Sequence, residues 1–396
     1  MKYCVLIIDG ASGLPLPEQG DQTCLELADT PNLDAMVKEG ILGLVRTVPL
    51  GMESSSACAC ISVLGYNPTV YYRGRAAIEA KSMGIPIDDD EVVFRCNLVA
   101  INDGKMWDYS SGHISTDEAQ LLIDALNESL GSEAVSFFSG VSYRHICKLK
   151  GREDTRLATC TPPHDIPGQL IDEFMPRGSG SDLLRDLMKR SEGVLREHPV
   201  NVDRGSRGDI PADMIWLFWG SGKIPDMPSF QQVYGLEAAM TSGVDLLGGL
   251  ARMVGMEILH IPGVTDGLDN DYTAQIVGAL ESLEVFDLVV IHIEAPDEAA
   301  HAGAIEDKIE ALQRVDREVL SRLRFWRGDT LRLLIMPDHS TPIKTRTHNP
   351  DPVPFMLWGE GFVTNGAGRF TEAEAAKTGL FVDPGYNIMS RLKGIG

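Results

Sequence analysis

Carboxylates and imidazoles recur in this 396-residue chain at the places where apolar runs stop. Asp9 ends KYCVLII (2–8), Asp297 and His301 follow FDLVVIHI (286–293), Asp338 and His339 follow LRLLIMP (331–337), and His348 lies in the next loop, THNPDP. Carboxylate oxygens and imidazole nitrogens together suit Mn²⁺, Zn²⁺ or Fe²⁺. The i, i+4 spacing of Asp297 and His301 puts both on one face if a helix starts after Pro296. A single such pair is an ordinary feature of exposed helices. Three strand-end clusters in one chain are what point to a metal centre. Glu298 falls on another face of that helix, and Glu294 is left without a role.

The elements that must carry these residues alternate. TPNLDAMVKEG (30–40) has the Thr, Pro and terminal Gly that punctuate a helix, ILGLVRTVP (41–49) reads as a strand, and SSSACACISVLGY (54–66) as a serine-rich turn feeding a helix. Helices over 242–255, 273–284 and 303–324 alternate with strands over 256–262, 286–293 and 331–337. Repeated βα units imply an α/β fold with a mostly parallel sheet covered on both faces. Ligands in such sheets sit outside the carboxyl ends of the strands, so the six residues should converge. The middle differs: strands at 92–102 and within 135–150, a helix at 115–130, an amphipathic helix at 181–198 and an aromatic strand at 212–223 suggest an α+β unit. The expected organisation is a discontinuous catalytic domain, 1–80 with 228–396, interrupted by an inserted domain, 81–227.

A net charge of −22 excludes a phosphate backbone as partner, because no basic stripe offsets it. Hydrophobic content of 43% with 23% charged residues suits a chain with a substantial core. Cys4, Cys24, Cys58, Cys60, Cys96, Cys147 and Cys160 are scattered and odd in number, which argues against a disulfide framework and for a reducing cytoplasm. The C-x-C pair of Cys58 and Cys60 reads as buried small residues rather than a soft-metal site. MKYCVLIIDG is too short in its apolar run for a membrane span.

In order along the chain, IIDG, GMESSSACACISVLGY, FRCNLVAINDG, DYSSGHIST, PPHDIPG, IEAPDEAAH, MPDHSTP and THNPDPVPF resemble the archaeal-type cofactor-independent phosphoglycerate mutases of the alkaline phosphatase superfamily. The resemblance implies an alkaline-phosphatase-like fold. It also implies two divalent ions (Mn²⁺, Mg²⁺ or Zn²⁺), a small phosphorylated metabolite as partner, and a serine phosphorylated and dephosphorylated in turn. By the same resemblance Asp297, His301 and His348 hold one metal, and Asp9, Asp338 and His339 the other. Ser56 is the nucleophile and metal-facing serine, with Ser54 and Ser55 as alternatives. Arg75, on the catalytic side, and His113, Arg144 and Asp165, in an inserted domain that caps the substrate, would bind substrate. Surface pairing of Arg144, and capping of the helix at Ser115 by His113, are the structural alternatives. The implied activity is interconversion of 2- and 3-phosphoglycerate.

The chain departs from the family pattern in places. G-S-D-V-A-N is replaced by Ser55-Ser56-Ala57-Cys58-Ala59-Cys60, and G-R-G-P-L-E-A by Gly74-Arg75-Ala76-Ala77-Ile78-Glu79-Ala80. The family's lysine after D-x-D-Y is Gln275 here, which removes a fixed positive charge that would stabilise the transferring phosphoryl group. L-R-G-A-G gives way to a segment, Trp216 to Gly222, that is similar to a bacterial branch proposed to phosphorylate homoserine. A homoserine-kinase-like phosphotransferase, another phosphatase, and a non-catalytic binding homologue are therefore the competing functions.

Overall fold

The computed structural model describes residues 1–394 and divides into two compact units, 1–72 with 225–396 and 73–224. In chain order the strands are β1 (Lys2–Ile8), β2 (Ile41–Val45), β3 (Glu91–Asn102), β4 (Lys105–Asp108), β5 (Val135–Phe138), β6 (Arg144–Lys150) and β7 (Met214–Gly222). They continue as β8 (Ala238–Thr241), β9 (Glu257–Ile258), β10 (Leu288–Ile293), β11 (Leu331–Met336), β12 (Val353–Gly359) and β13 (Phe381–Val382).

The discontinuous unit is built on an eight-stranded sheet, ordered β13-β2-β12-β11-β1-β10-β8-β9 among the described residues. From β11 to β9 every pairing is parallel, while β12 runs antiparallel to both its neighbours. The central strands are buried from Tyr3 to Ile8, Leu288 to Ile293 and Leu333 to Met336, as a sheet covered on both faces requires. Register fixes the chemistry at their ends. Ile8 pairs with Ile293 and Ile7 with Met336, so Asp9, Glu294 and Asp338 leave the sheet side by side. Because β12 is reversed, the loop that precedes it returns to this same edge and delivers His348.

Local sequence rules missed β8, a four-residue strand, and β12, which carries Pro354 after Pro350 and Pro352. The strand expected over 256–262 is reduced to Glu257–Ile258. The helix expected over 303–324 begins earlier, as Ala295–Ala302, bends at Gly303 with φ +74°, and resumes as Ile305–Arg314 before a π-helical turn over Val315–Leu320.

The 73–224 unit is centred on β3, which pairs antiparallel with β6 and β7 and, past a bulge, with β4. Its own core joins Phe94, Leu98, Leu122, Leu126, Leu187 and Trp216. The sequence-based boundaries at 80/81 and 227/228 place helix Arg75–Ser82 outside this unit, and the structure places it inside. Ala76, Ala77 and Ala80 on one helix face pack against Val93 of β3 and Ile146 of β6, a small-residue face that suits a helix lying flat on a sheet.

Candidate active site

Helix Ala295–Ala302 starts with Pro296 in its first turn, and the i, i+4 spacing brings His301 Nε2 to 3.1 Å from Asp297 Oδ2. His348 Nε2 lies 3.4 Å from the same oxygen and 2.9 Å from His301 Nε2. Each ring's other nitrogen faces a carbonyl: His301 Nδ1 is 2.9 Å from Arg346 O, and His348 Nδ1 is 3.2 Å from Ser54 O. A carbonyl can only accept, so both Nδ1 atoms carry hydrogen and the neutral rings turn bare Nε2 lone pairs toward each other and toward a carboxylate. That arrangement demands a positive centre between them. With no metal a proton fills the role, and the hydrogen bond to Asp297 raises His301 to about 9. Burial pushes the Asp297 carboxyl up, but hydrogen bonds from His301 and His348 hold it well below the usual range. Glu298 is exposed and falls outside this set.

The second set is drier. Asp9, Asp338 and His339 are fully buried. His339 Nε2 lies 3.5 Å from Asp9 Oδ1 and 3.3 Å from Asp338 Oδ2. Asp338 Oδ1 accepts from the backbone N–H of Gly10 at 3.3 Å and of His339 at 2.8 Å. Burial pushes His339 down to about 4, and burial with the Asp338 and Asp297 charges pushes Asp9 well above the ordinary carboxylate range. Asp9 Oδ1 and Glu294 Oε2 are buried without a hydrogen-bond partner, as expected of oxygens whose natural partner is a cation.

Sequence reading missed two neighbours of Asp9. His292 Nε2 is 2.8 Å from Asp9 Oδ2 and 3.5 Å from Glu294 Oε2, so these three also gather, with ligand atoms within 4.8 Å of one another. The H-x-E at a strand end was the available signal, but His292 is inside the apolar run and was counted as core. Gln275 is buried as well, donating to His292 O at 3.0 Å and accepting from Asn270 at 2.9 Å.

Helix Ser56–Val63 points its first residue at this centre, with Ser56 Oγ 3.2 Å from His339 Nε2. Of the neighbouring serines, the Ser55 side chain caps the helix by accepting from Cys58 N–H, and Ser54 meets His348 through its backbone carbonyl. Cys58 and Cys60 are buried in the same helix, and Cys60 Sγ is 3.8 Å from Asp338 Oδ2. All seven cysteines are free thiols.

The four expected substrate contacts all lie in the 73–224 unit, which corrects the placement of Arg75. They string along a strip of rings. His113 meets Tyr143 edge-on, the Arg144 guanidinium lies over Tyr143, Tyr109 meets both Tyr143 and His164, His164 meets Trp219, and Arg75 lies 4.8 Å over Trp219. Asp165 is exposed beside His164, at 3.8 Å. The helix cap at Ser115 is made by the Ser115 hydroxyl and Glu118 N–H, so His113 is not spent on it. His113 and Trp219 both adopt left-handed backbone, with φ of +51° and +54°, a strained state for bulky residues that concentrates at functional sites. Buried Arg95, ion-paired with Glu79, was also missed.

The family model described as 2,3-bisphosphoglycerate-independent phosphoglycerate mutase matches residues 37–201. A protein of that name from Methanothrix thermoacetophila is 44% identical over 395 residues, covering 99% of both chains. Another, named 2,3-bisphosphoglycerate-independent phosphoglycerate mutase 2, from Methanothermobacter thermautotrophicus, is 47% identical over 91% of this chain and 89% of its own. The solved structure of the PH0037 protein from Pyrococcus horikoshii superimposes with a TM-score of 0.81 at 26% identity, over 100% of this chain and 98% of that one. Identity at this level from end to end, with acid and histidine clusters gathered at one sheet edge, places the chain in the 2,3-bisphosphoglycerate-independent phosphoglycerate mutase family.

Proposed function

We propose that this chain is an enzyme that interconverts 2- and 3-phosphoglycerate, without a bisphosphoglycerate cofactor, through a phosphoserine at Ser56. The observation that carries the reading is the position of Ser56 Oγ, 3.2 Å from His339 Nε2 and at the start of a helix. Two divalent ions fit the residues present, one held by Asp297, His301 and His348 and the other by Asp9, Asp338, His339 and Ser56. When bound, they neutralise phosphoryl oxygens and lower the serine's pKa. Ser56 Oγ attacks phosphorus in line, its bond to phosphorus forming as the glycerate oxygen's breaks, and the proton lost by the Ser56 hydroxyl is balanced by the one the departing glycerate oxygen takes up. Backbone N–H groups at the first turn of helix Ser56–Val63 hold the transferred group. Glycerate re-enters with its other hydroxyl toward phosphorus, and the reverse displacement frees Ser56. Arg75, His113, Arg144 and Asp165, all in the 73–224 unit, are the residues this reading assigns to substrate binding. Free thiols throughout, and the absence among the described residues of any helix long and apolar enough to cross a membrane, support a cytoplasmic setting.

Phosphorus NMR of the protein with Mn²⁺ and 3-phosphoglycerate, with no bisphosphoglycerate added, tests the activity. Appearance of 2-phosphoglycerate is expected, and Ser56→Ala should abolish it. Turnover of homoserine with a nucleotide, and none of phosphoglycerate, would overturn this assignment in favour of a kinase. Unaltered turnover by Ser56→Ala would overturn the phosphoserine.

A further inference from the structure

Thr341 follows the ligand pair Asp338-His339 by two residues, is fully buried, and has contacts that leave its hydroxyl no choice. Its Oγ1 lies 2.5 Å from Asp297 Oδ1 and 3.1 Å from His339 Nδ1. A carboxylate and an imidazole that bind metal are ionised and neutral, respectively. Asp297 can therefore only accept, and it takes the single proton that a hydroxyl carries. Oγ1 must then accept from His339 Nδ1–H. That puts the ring's one hydrogen on Nδ1 and leaves the Nε2 lone pair facing Ser56 Oγ at 3.2 Å and Asp338 Oδ2 at 3.3 Å.

The backbone around Thr341 is equally constrained. Its N–H donates to Ser12 O at 3.0 Å, and its carbonyl accepts from Lys308 Nζ at 2.9 Å. Lys308 is itself fully buried, and its ammonium also reaches Ser12 O at 3.2 Å. One cation thus ties the loop after β1 to the loop after β11, the two loops that carry Asp9, Asp338 and His339.

We propose that Thr341 is a positioning residue that couples the two ligand sets: it gives its proton to Asp297, takes one from His339, and so holds His339 in the tautomer that presents Nε2 to Ser56. The proposal rests on the reading of these residues as one phosphotransfer centre. Its consequence is a hydrogen-bond chain of one direction, from His339 Nδ1–H to Thr341 Oγ1 and from Thr341 O–H to the Asp297 carboxylate, which leaves the one lone pair of His339 on Nε2 for a cation. Outer partners of this kind orient a ligand and raise its basicity, and their loss typically costs about 10–100-fold in metal affinity or activity.

The test compares Thr341→Val, which keeps the shape without the hydroxyl, with Thr341→Ser, which keeps the hydroxyl. Calorimetric titration of the metal-free proteins with Mn²⁺ should show Thr341→Val weakened by about 10–100-fold and Thr341→Ser binding as the unaltered chain does. Nitrogen-15 NMR of the unaltered metal-free protein should find His339 protonated on Nδ1, a readout that stands even if Thr341→Val does not fold. Undiminished Mn²⁺ affinity in Thr341→Val, equal damage in both variants, or an Nε2–H tautomer would each overturn the proposal. A failure of the Ser56 reading is distinguishable, since it would leave the tautomer and the Mn²⁺ titrations as expected while no phosphate reached Ser56.

Discussion

Gly10 has φ +59°, and a Cβ placed there would collide with the Asp297 side chain and its Cα. Both the conformation and the close approach exclude any larger residue, because a non-glycine residue in this region is strained even with space around it. Gly10→Ala is expected to lose about 1–3 kcal/mol of stability in denaturant titration and to weaken Mn²⁺ binding, because Asp297 is the atom set that must move. In the other unit, His145 is fully buried in β6, with Nδ1 accepting from Gly140 N–H at 3.1 Å. Burial, with the Arg95 charge nearby, pushes it down to about 3. The folded pKa is below the unfolded value of about 6.5, so between these values the unfolded chain binds the extra proton. Stability from this residue is complete above pH 6.5 and falls as pH drops toward 3, by at most about 1.4 kcal/mol per pH unit. Denaturant midpoints measured from pH 7 to pH 4.5 should fall less steeply for His145→Asn than for the unaltered chain, and equal slopes would contradict the assignment.

At the scale of elements, the strand-end acids were legible in sequence because a buried β-run that stops in charge has few structural explanations. The i, i+4 pair on helix Ala295–Ala302 was legible for the same reason, once Pro296 marked a first turn. His292 and Glu294 were not. A histidine inside an apolar run reads as core, and only the register of β1 on β10 sets it beside Asp9. Strand β12 was hidden by its prolines, although its reversal is what returns His348 to the ligand edge. The strip from His113 to Arg75 joins residues drawn from five separate stretches of chain, which no local pattern records, and helix Arg75–Ser82 changed units because packing of small residues outweighs position along the chain. Helix Ser56–Val63 offers a test at this scale. Ser55→Ala removes its cap, at a cost of about 1 kcal/mol, and should lower kcat for phosphoglycerate through a loosened Ser56 while KM changes little. An unchanged kcat alongside the stability loss would show that the cap does not position the nucleophile.

For the whole molecule, the centre concentrates Asp9, Glu294, Asp297 and Asp338 at one sheet edge of a chain already carrying a net charge of −22. Divalent ions held there would relieve that repulsion in the folded state alone, which would link metal and fold. Chelation should lower the melting temperature and Mn²⁺ should restore it, by the equivalent of about 2.7 kcal/mol at a free metal concentration one hundred times Kd. Melting that is indifferent to chelator would contradict metal occupancy at these residues. The most direct measurement of the central claim is mass spectrometry of the protein quenched during turnover of 3-phosphoglycerate with Mn²⁺. The expected result is one phosphate on the peptide carrying Ser56, lost when the substrate is exhausted or the chain carries Ser56→Ala. Turnover with no phosphate on that peptide, or with phosphate on Ser54 or Ser55, would contradict it.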